Sequence, residues 1–102
     1  MSTVCISDSE IAEERLRRMI LFIAEGEPNS LIAQENLKKI CDAHSKYECH
    51  IQLVNVMENY LTAQEYNVLV TPCLVLLRPL PRVSIVGTLK DSAKVCAALR
   101  LI

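Results

Sequence analysis

Met19-Ile20-Leu21-Phe22-Ile23-Ala24 runs directly into Glu25-Gly26-Glu27-Pro28-Asn29-Ser30. Consecutive apolar residues rich in strand formers, with no alternation, describe a strand covered on both faces, as in a parallel sheet. Gly26 and Pro28 break the run. Asn29 or Ser30 is placed to cap a helix, and Glu27 adds negative charge near its N-terminus. Leu31, Ala33, Leu37, Ile40, Cys41 and His44 then recur at helical spacing through about Lys46. Further on, Ile51, Leu53 and Asn55 share one face of a segment whose other face carries Gln52, Val54 and Val56, a second strand at about Cys49 to Met57. Strand, helix and strand of this length read as a right-handed parallel βαβ crossover.

Upstream, Ser2 to Glu14 is polar and acidic, so residues 1–15 read as a flexible N-terminal arm and 16–102 as a single domain. Arg15, Arg17 and Arg18 are expected to be a solvated strand start. Downstream, Thr62 is placed to cap a short helix through Leu69, although Tyr66, Val68 and Val70 alternate and fit a strand equally. Cys73 to Leu77 is an apolar strand, Pro79 and Pro81 mark a turn, and Arg82 to Val86 returns as a hairpin partner. Gly87 ends it. Asp91 or Ser92 caps a last segment in which Ala93, Val95, Cys96, Ala98 and Leu99 suit a helix, although Val95, Ala97, Leu99 and Leu101 alternate and fit a strand as well. The resulting order, β-α-β-α-β-β-α, is an α/β arrangement on the thioredoxin-like plan.

Composition bounds the function. The chain has 102 residues, 51% of them hydrophobic, enough for one core. A net charge of −1 argues against a nucleic-acid partner, which a basic face would announce. The longest uncharged stretch, Tyr66 to Leu77, is too short to span a bilayer, so no membrane partner is expected. Met1 to Glu14 has no apolar core and does not read as a secretory signal. The five cysteines are Cys5, Cys41, Cys49, Cys73 and Cys96, an odd number with no C-x-x-C pair. They read as free thiols of a reducing cytoplasm, with Cys73 and Cys96 as small buried hydrophobes.

Chemistry-bearing motifs are sparse. A thioredoxin-like redox enzyme holds its nucleophilic thiol at the start of the first helix, where the helix dipole lowers the thiol pKa. Glu25 to Ser30 contains no cysteine and two carboxylates, which speaks against redox chemistry at that place. Thr71-Pro72 falls where such folds set a cis-proline before the third strand. Cys41, His44, Cys49 and His50 have the chemistry of zinc ligands, but neighbouring strand residues point to opposite faces, so Cys49 and His50 are not expected to converge on a metal. No catalytic triad, paired-carboxylate site or phosphate-cradling glycine loop is visible, and neither a catalytic residue nor a cofactor is expected.

From Leu16 to Ile102 the chain resembles the KaiB family of circadian-clock proteins. The resemblance rests on Leu21-Phe22-Ile23-Ala24, Pro28-Asn29-Ser30, Asn36-Leu37, Ile40, Leu69-Val70-Thr71-Pro72-Cys73-Leu74, and Gly87-x-Leu89-x-Asp91 with the closing helix. Departures from the family pattern are Glu25 for a glycine, Ile32 for an arginine, Asn55 for an aspartate, Glu58 for a lysine, and Thr88 for the central aspartate of a G-D-L step. The resemblance implies a non-enzymatic regulator that binds a hexameric KaiC-like ATPase and modulates its phosphorylation and ATPase cycle, in circadian or stress-related timing. It also implies a homo-oligomer, dimer or tetramer, and a metamorphic second half that exchanges the thioredoxin-like order for a βαββααβ arrangement. Gly87 and Asp91 would then be hinge and cap of the switch. A redox-inactive thioredoxin-like interaction module of a histidine-kinase pathway is the second reading.

Overall fold

A computed structural model describes residues 15–101. Its elements are β1 (Leu16–Ile23), α1 (Pro28–Ala43), β2 (Glu48–Asn55), α2 (Tyr60–Glu65), β3 (Cys73–Arg78), β4 (Val83–Val86) and α3 (Ser92–Ala98). The sheet order is β2-β1-β3-β4. β1 pairs parallel with β2, with Met19 opposite Ile51, and antiparallel with β3, with Leu21 opposite Leu74. β3 and β4 form the expected hairpin. Apart from Arg15, the N-terminal arm lies outside the described residues.

β1 is covered on both faces, as its unbroken apolar run requires. Met19, Leu21 and Ile23 face one core with Ala33, Leu37 and Ile40 of α1 and Val95, Cys96 and Leu99 at α3. Ile20 and Phe22 face the other, with Val54, Cys73 and Val75 of the flanking strands and Ala63 of α2. α1 and α3 therefore lie on one side of the sheet and α2 on the other. Cys73 and Cys96 are buried, as expected of small apolar side chains.

Several expectations are corrected. Arg17 is not solvated. It is 6% exposed, and its guanidinium donates to the carbonyls of Leu99 (2.9 Å) and Arg100 (2.7 Å) and lies over the Tyr47 ring. Two carbonyls at the end of α3 and an aromatic face replace water around the charge. Arg15 and Arg18 are exposed.

α1 starts two or three residues earlier than a cap at Asn29 or Ser30 would give. Glu27 is the extended N-cap residue and Pro28 opens the first turn, because its fixed φ is already helical and its missing N–H is not needed there. The helix stops at Ala43, and the ring Nδ1 of the C-cap residue His44 sits 2.8 Å from the Ile40 carbonyl oxygen. β2 ends at Asn55 rather than Met57, because Asn55 Oδ1 accepts from Met57 N–H and its carbonyl accepts from Glu58 and Asn59, which turns the chain.

α2 has Asn59, not Thr62, at its N-cap position, without a side-chain capping bond, and ends at Glu65, well short of Leu69. Asn67 stops it by taking φ +58°, while Asn67 N–H bonds Gln64 O and Val68 N–H bonds Ala63 O. That is a Schellman stop, and asparagine tolerates the left-handed position better than most residues. Tyr66 to Val70 thus belongs to neither strand nor helix. α3 closes the same way, with Arg100 at φ +57°, Arg100 N–H on Ala97 O and Leu101 N–H on Cys96 O.

Candidate interaction surface

The C-terminal ends of β1 and β2, the start of α1 and the loop before β3 meet at one edge of the molecule. Pro28, Asn29 and Ser30 form the first turn of α1, with Pro28 and Asn29 exposed and Ser30 only 1% exposed. Ser30 Oγ donates to Glu27 Oε1 at 2.9 Å and accepts from Ala24 N–H at 3.1 Å. The same Glu27 oxygen accepts from Thr71 Oγ1 at 3.3 Å. One carboxylate therefore ties the helix start to the Thr71-Pro72 step across 44 residues of chain. The Thr71–Pro72 peptide is cis, Pro72 is buried, and its carbonyl accepts from Gly87 N–H at 3.0 Å.

Gly87 takes φ +117°, and Asp91 accepts from Lys94 N–H as the N-cap of α3. Between them Leu89 is buried with φ +63°, a conformation that costs a non-glycine residue about 1–2 kcal/mol. Asn36 of α1 steadies this loop by donating from Nδ2 to the Thr88 carbonyl at 2.8 Å.

Around the Glu27–Ser30–Thr71 connection the surface is apolar. Leu69 is 93% exposed, and Leu31, Ile32, Met57, Tyr60, Leu61 and Val70 are also exposed. A shallow groove of about 450 Å³ runs between Glu27, Tyr60, Gln64, Val68, Leu69 and Thr71. Among the positions that depart from the family pattern, Ile32 and Glu58 lie exposed beside this rim, and Asn55 binds Glu25 N–H and Met57 N–H through Oδ1. Single exposed apolar residues are ordinary, but Tyr60, Leu69 and Val70 line the same groove, an apolar surface of the kind that partners cover.

The edge is not built for thiol chemistry. The segment from Glu25 to Ser30, where a thioredoxin-like oxidoreductase carries its sulfur, holds no cysteine; its N-cap is Glu27, and the buried Ser30 hydroxyl is committed to two hydrogen bonds. The four residues with zinc-ligand chemistry do not converge either. Cys41 and Cys49 meet, His44 turns to Ile40 and to Cys96 Sγ (3.9 Å), and His50 pairs with Glu48 at 3.0 Å. Among the described residues no group of three or more His, Cys, Asp or Glu side chains could hold a metal ion, and no helix is long and apolar enough to cross a membrane.

Sequence reasoning missed Glu27 as the connector, and it missed Arg17. The Arg17 signal was present: stepping back by two from Ile23 through Leu21 and Met19 arrives at Arg17, on the face that α3 covers. For Glu27 only half of the signal was local: Ser30 stands three residues on at the helix start, but Thr71 is brought to it only by the tertiary fold.

Residues 20–101 match the model of the KaiB domain. The chain belongs to the KaiB family. Over 82 residues, 80% of its length, it is 34% identical to the circadian clock oscillator protein KaiB of Synechococcus elongatus, covering 80% of that relative. The KaiB of Picosynechococcus sp. is also 34% identical over the same length, with 79% of it covered. Among solved structures, the N-terminal domain of Synechococcus elongatus SasA superposes with a TM-score of 0.71, 24% identity, and coverage of 86% of this chain and 87% of that one. Mitochondrial thioredoxin 3 of Saccharomyces cerevisiae gives 0.68 with 17% identity, covering 96% and 90%. These two likenesses place the KaiB-family chain in the thioredoxin-like fold.

Proposed function

We propose that this KaiB-family protein is a non-enzymatic regulator that docks on a hexameric KaiC-like ATPase and modulates its phosphorylation and ATPase cycle, in circadian or stress-related timing. The observation that carries the reading is the edge described above: the start of α1 holds no cysteine, its Glu27 carboxylate is bound to Ser30 and Thr71, and exposed apolar side chains lie around it. Such an edge favours docking over turnover. Pro28, Asn29, Ser30, Thr71 and Pro72 act as its frame. Membership of a clock-protein family makes a KaiC-like ATPase the partner of choice, with a cytoplasmic setting.

The second half is the part proposed to switch. In the thioredoxin-like form the segment between β4 and α3 holds two positive-φ positions, Gly87, which adopts it freely, and Leu89, which carries backbone strain where the chain would have to be rearranged. A resting homo-oligomer, dimer or tetramer, with the alternative βαββααβ order would relieve it, with Gly87 as hinge and Asp91 as the cap that favours the form seen here. Two packings within a few kcal/mol of each other suffice.

The test is a titration of fluorescently labelled protein with the purified KaiC-like ATPase of the same host, read by anisotropy, beside a parallel titration with that host's histidine kinases. Saturable binding to the ATPase, weakened by charge substitution of Leu69 or Tyr60, supports the reading. Binding to a kinase with none to the ATPase replaces it by the signalling-module reading. Reduction of insulin disulfides at a thioredoxin-like rate would overturn the non-enzymatic assignment.

A further inference from the structure

A second feature lies away from that edge, at the opposite end of α1. Cys41 stands two residues before the helix ends, and Cys49 is the second residue of β2. The turn between them folds back, so that both side chains line one groove of about 370 Å³ with Leu21, Leu37, Ile51 and Leu53, and both pack against the same core cluster. Both are half-buried, hence reachable, whereas Cys73 and Cys96 are buried. β2 is an edge strand, so the groove opens to solvent. The register sets Arg17 directly opposite Cys49, which brings a buried guanidinium beside the thiol.

We propose that Cys41 and Cys49 form a redox-responsive thiol pair that closes into an intramolecular disulfide on meeting a small-molecule disulfide of the glutathione type, clipping the end of α1 to the start of β2. The chemistry runs in two exchanges. The Cys49 thiolate attacks one sulfur of the small disulfide, whose S–S bond breaks and releases one small thiolate. Cys41 then loses its proton and attacks Cys49 Sγ, expelling the second small thiolate. Two protein thiols are oxidised, one small disulfide is reduced to two thiols, and the protein's protons end on the leaving groups.

The division of labour follows from the surroundings. The Cys49 thiol is pulled down to about 7, first by the hydrogen bond from Cys41 and further by the charges of Arg17, His44 and His50, against the opposing effect of burial. Cys41 is pushed strongly up, first by its hydrogen bond to Cys49 and then by burial. Cys49 is thus the attacking sulfur. Once it is capped as a mixed disulfide, the largest influence holding Cys41 protonated is gone, and Cys41 becomes the resolving thiol. The loop closed is short and joins elements already in contact, so the clip alters local opening of the β2 edge rather than the fold.

The full-length protein, reduced and desalted, is incubated with oxidised glutathione and analysed by non-reducing peptide mass spectrometry. Trypsin cuts after Lys46, between the two cysteines, and Glu-C cuts after Glu58 and Glu65, between Cys49 and Cys73, so with both proteases a Cys41–Cys49 bond holds together two peptides that exclude Cys73. The expected product is that linked pair. Cys41→Ser is expected to stop at a stable glutathione adduct on Cys49, and Cys49→Ser to leave Cys41 on the order of tenfold less reactive at neutral pH. A wild-type chain that stays reduced, that keeps the adduct on Cys49 with Cys41 free, or that links other cysteines instead would overturn the proposal. The wild-type result stands even where a serine variant folds poorly.

Discussion

Arg17 shows how a charged residue in an apolar strand is made tolerable, and what removing it would do. Its guanidinium occupies carbonyls that the end of α3 would otherwise leave without partners. Arg17→Ala strips charge-assisted bonds from buried acceptors and should lower stability by about 2–4 kcal/mol, measured by urea unfolding. Arg17→Lys should recover only part of this, because an ammonium cannot reproduce the fork that reaches Leu99 and Arg100 together. At Cys49 the prediction concerns pH. Its folded-state value of about 7 means the thiolate fraction rises as pH passes 7, so alkylation of Cys49 should have its midpoint there, while buried Cys73, pushed up by desolvation, should stay unreactive through the same range. Peptide-resolved iodoacetamide kinetics from pH 5 to 9, a span of about two units either side of the midpoint, checks both.

Elements were legible in the sequence where one physical signal dominated. β1 and β3 announced themselves by unbroken apolar runs ended by glycine or proline, and β4 by the proline turn before it and Gly87 after it, whereas the α3 segment fitted a strand as well as a helix and was settled by the Asp91 cap. The region from Asn59 to Val70 did not, because its period fits two structures and the deciding feature is a single backbone setting, Asn67 in the left-handed region. The candidate site was half legible. Pro28 to Ser30 and Thr71-Pro72 stood out by type and place, but the carboxylate joining them exists only once β1, α1 and the β3 loop are assembled. At α3, Asp91→Ala removes the cap to Lys94 N–H and should cost the thioredoxin-like form about 1 kcal/mol. Gly87→Ala should cost that form about 1–2 kcal/mol through backbone strain alone, since a Cβ there meets nothing within 4 Å. Amide NMR of each variant tests the switching proposal at this scale. Both should shift population away from the thioredoxin-like peak set, and a single unshifted set in both would argue for one rigid fold.

At the scale of the whole molecule, one sheet joins two halves that both feed the core, and the second also holds the left-handed backbone positions. β1 gathers both cores, while the residues after Asn59 carry all three positive-φ non-glycine positions among the described residues, Asn67, Leu89 and Arg100. If the binding-competent form is one of two populated folds, apparent affinity for a partner falls by its fraction and association is limited by refolding rather than encounter. The measurement that bears most directly on this is methyl and amide NMR of the isotope-labelled chain before and after addition of excess KaiC-like hexamer from the same host. The account predicts slow conversion, with resonances of Asn59 onward settling into the thioredoxin-like set and those of the Leu69–Thr71 rim broadened by contact. A spectrum that does not change at saturating hexamer would contradict it.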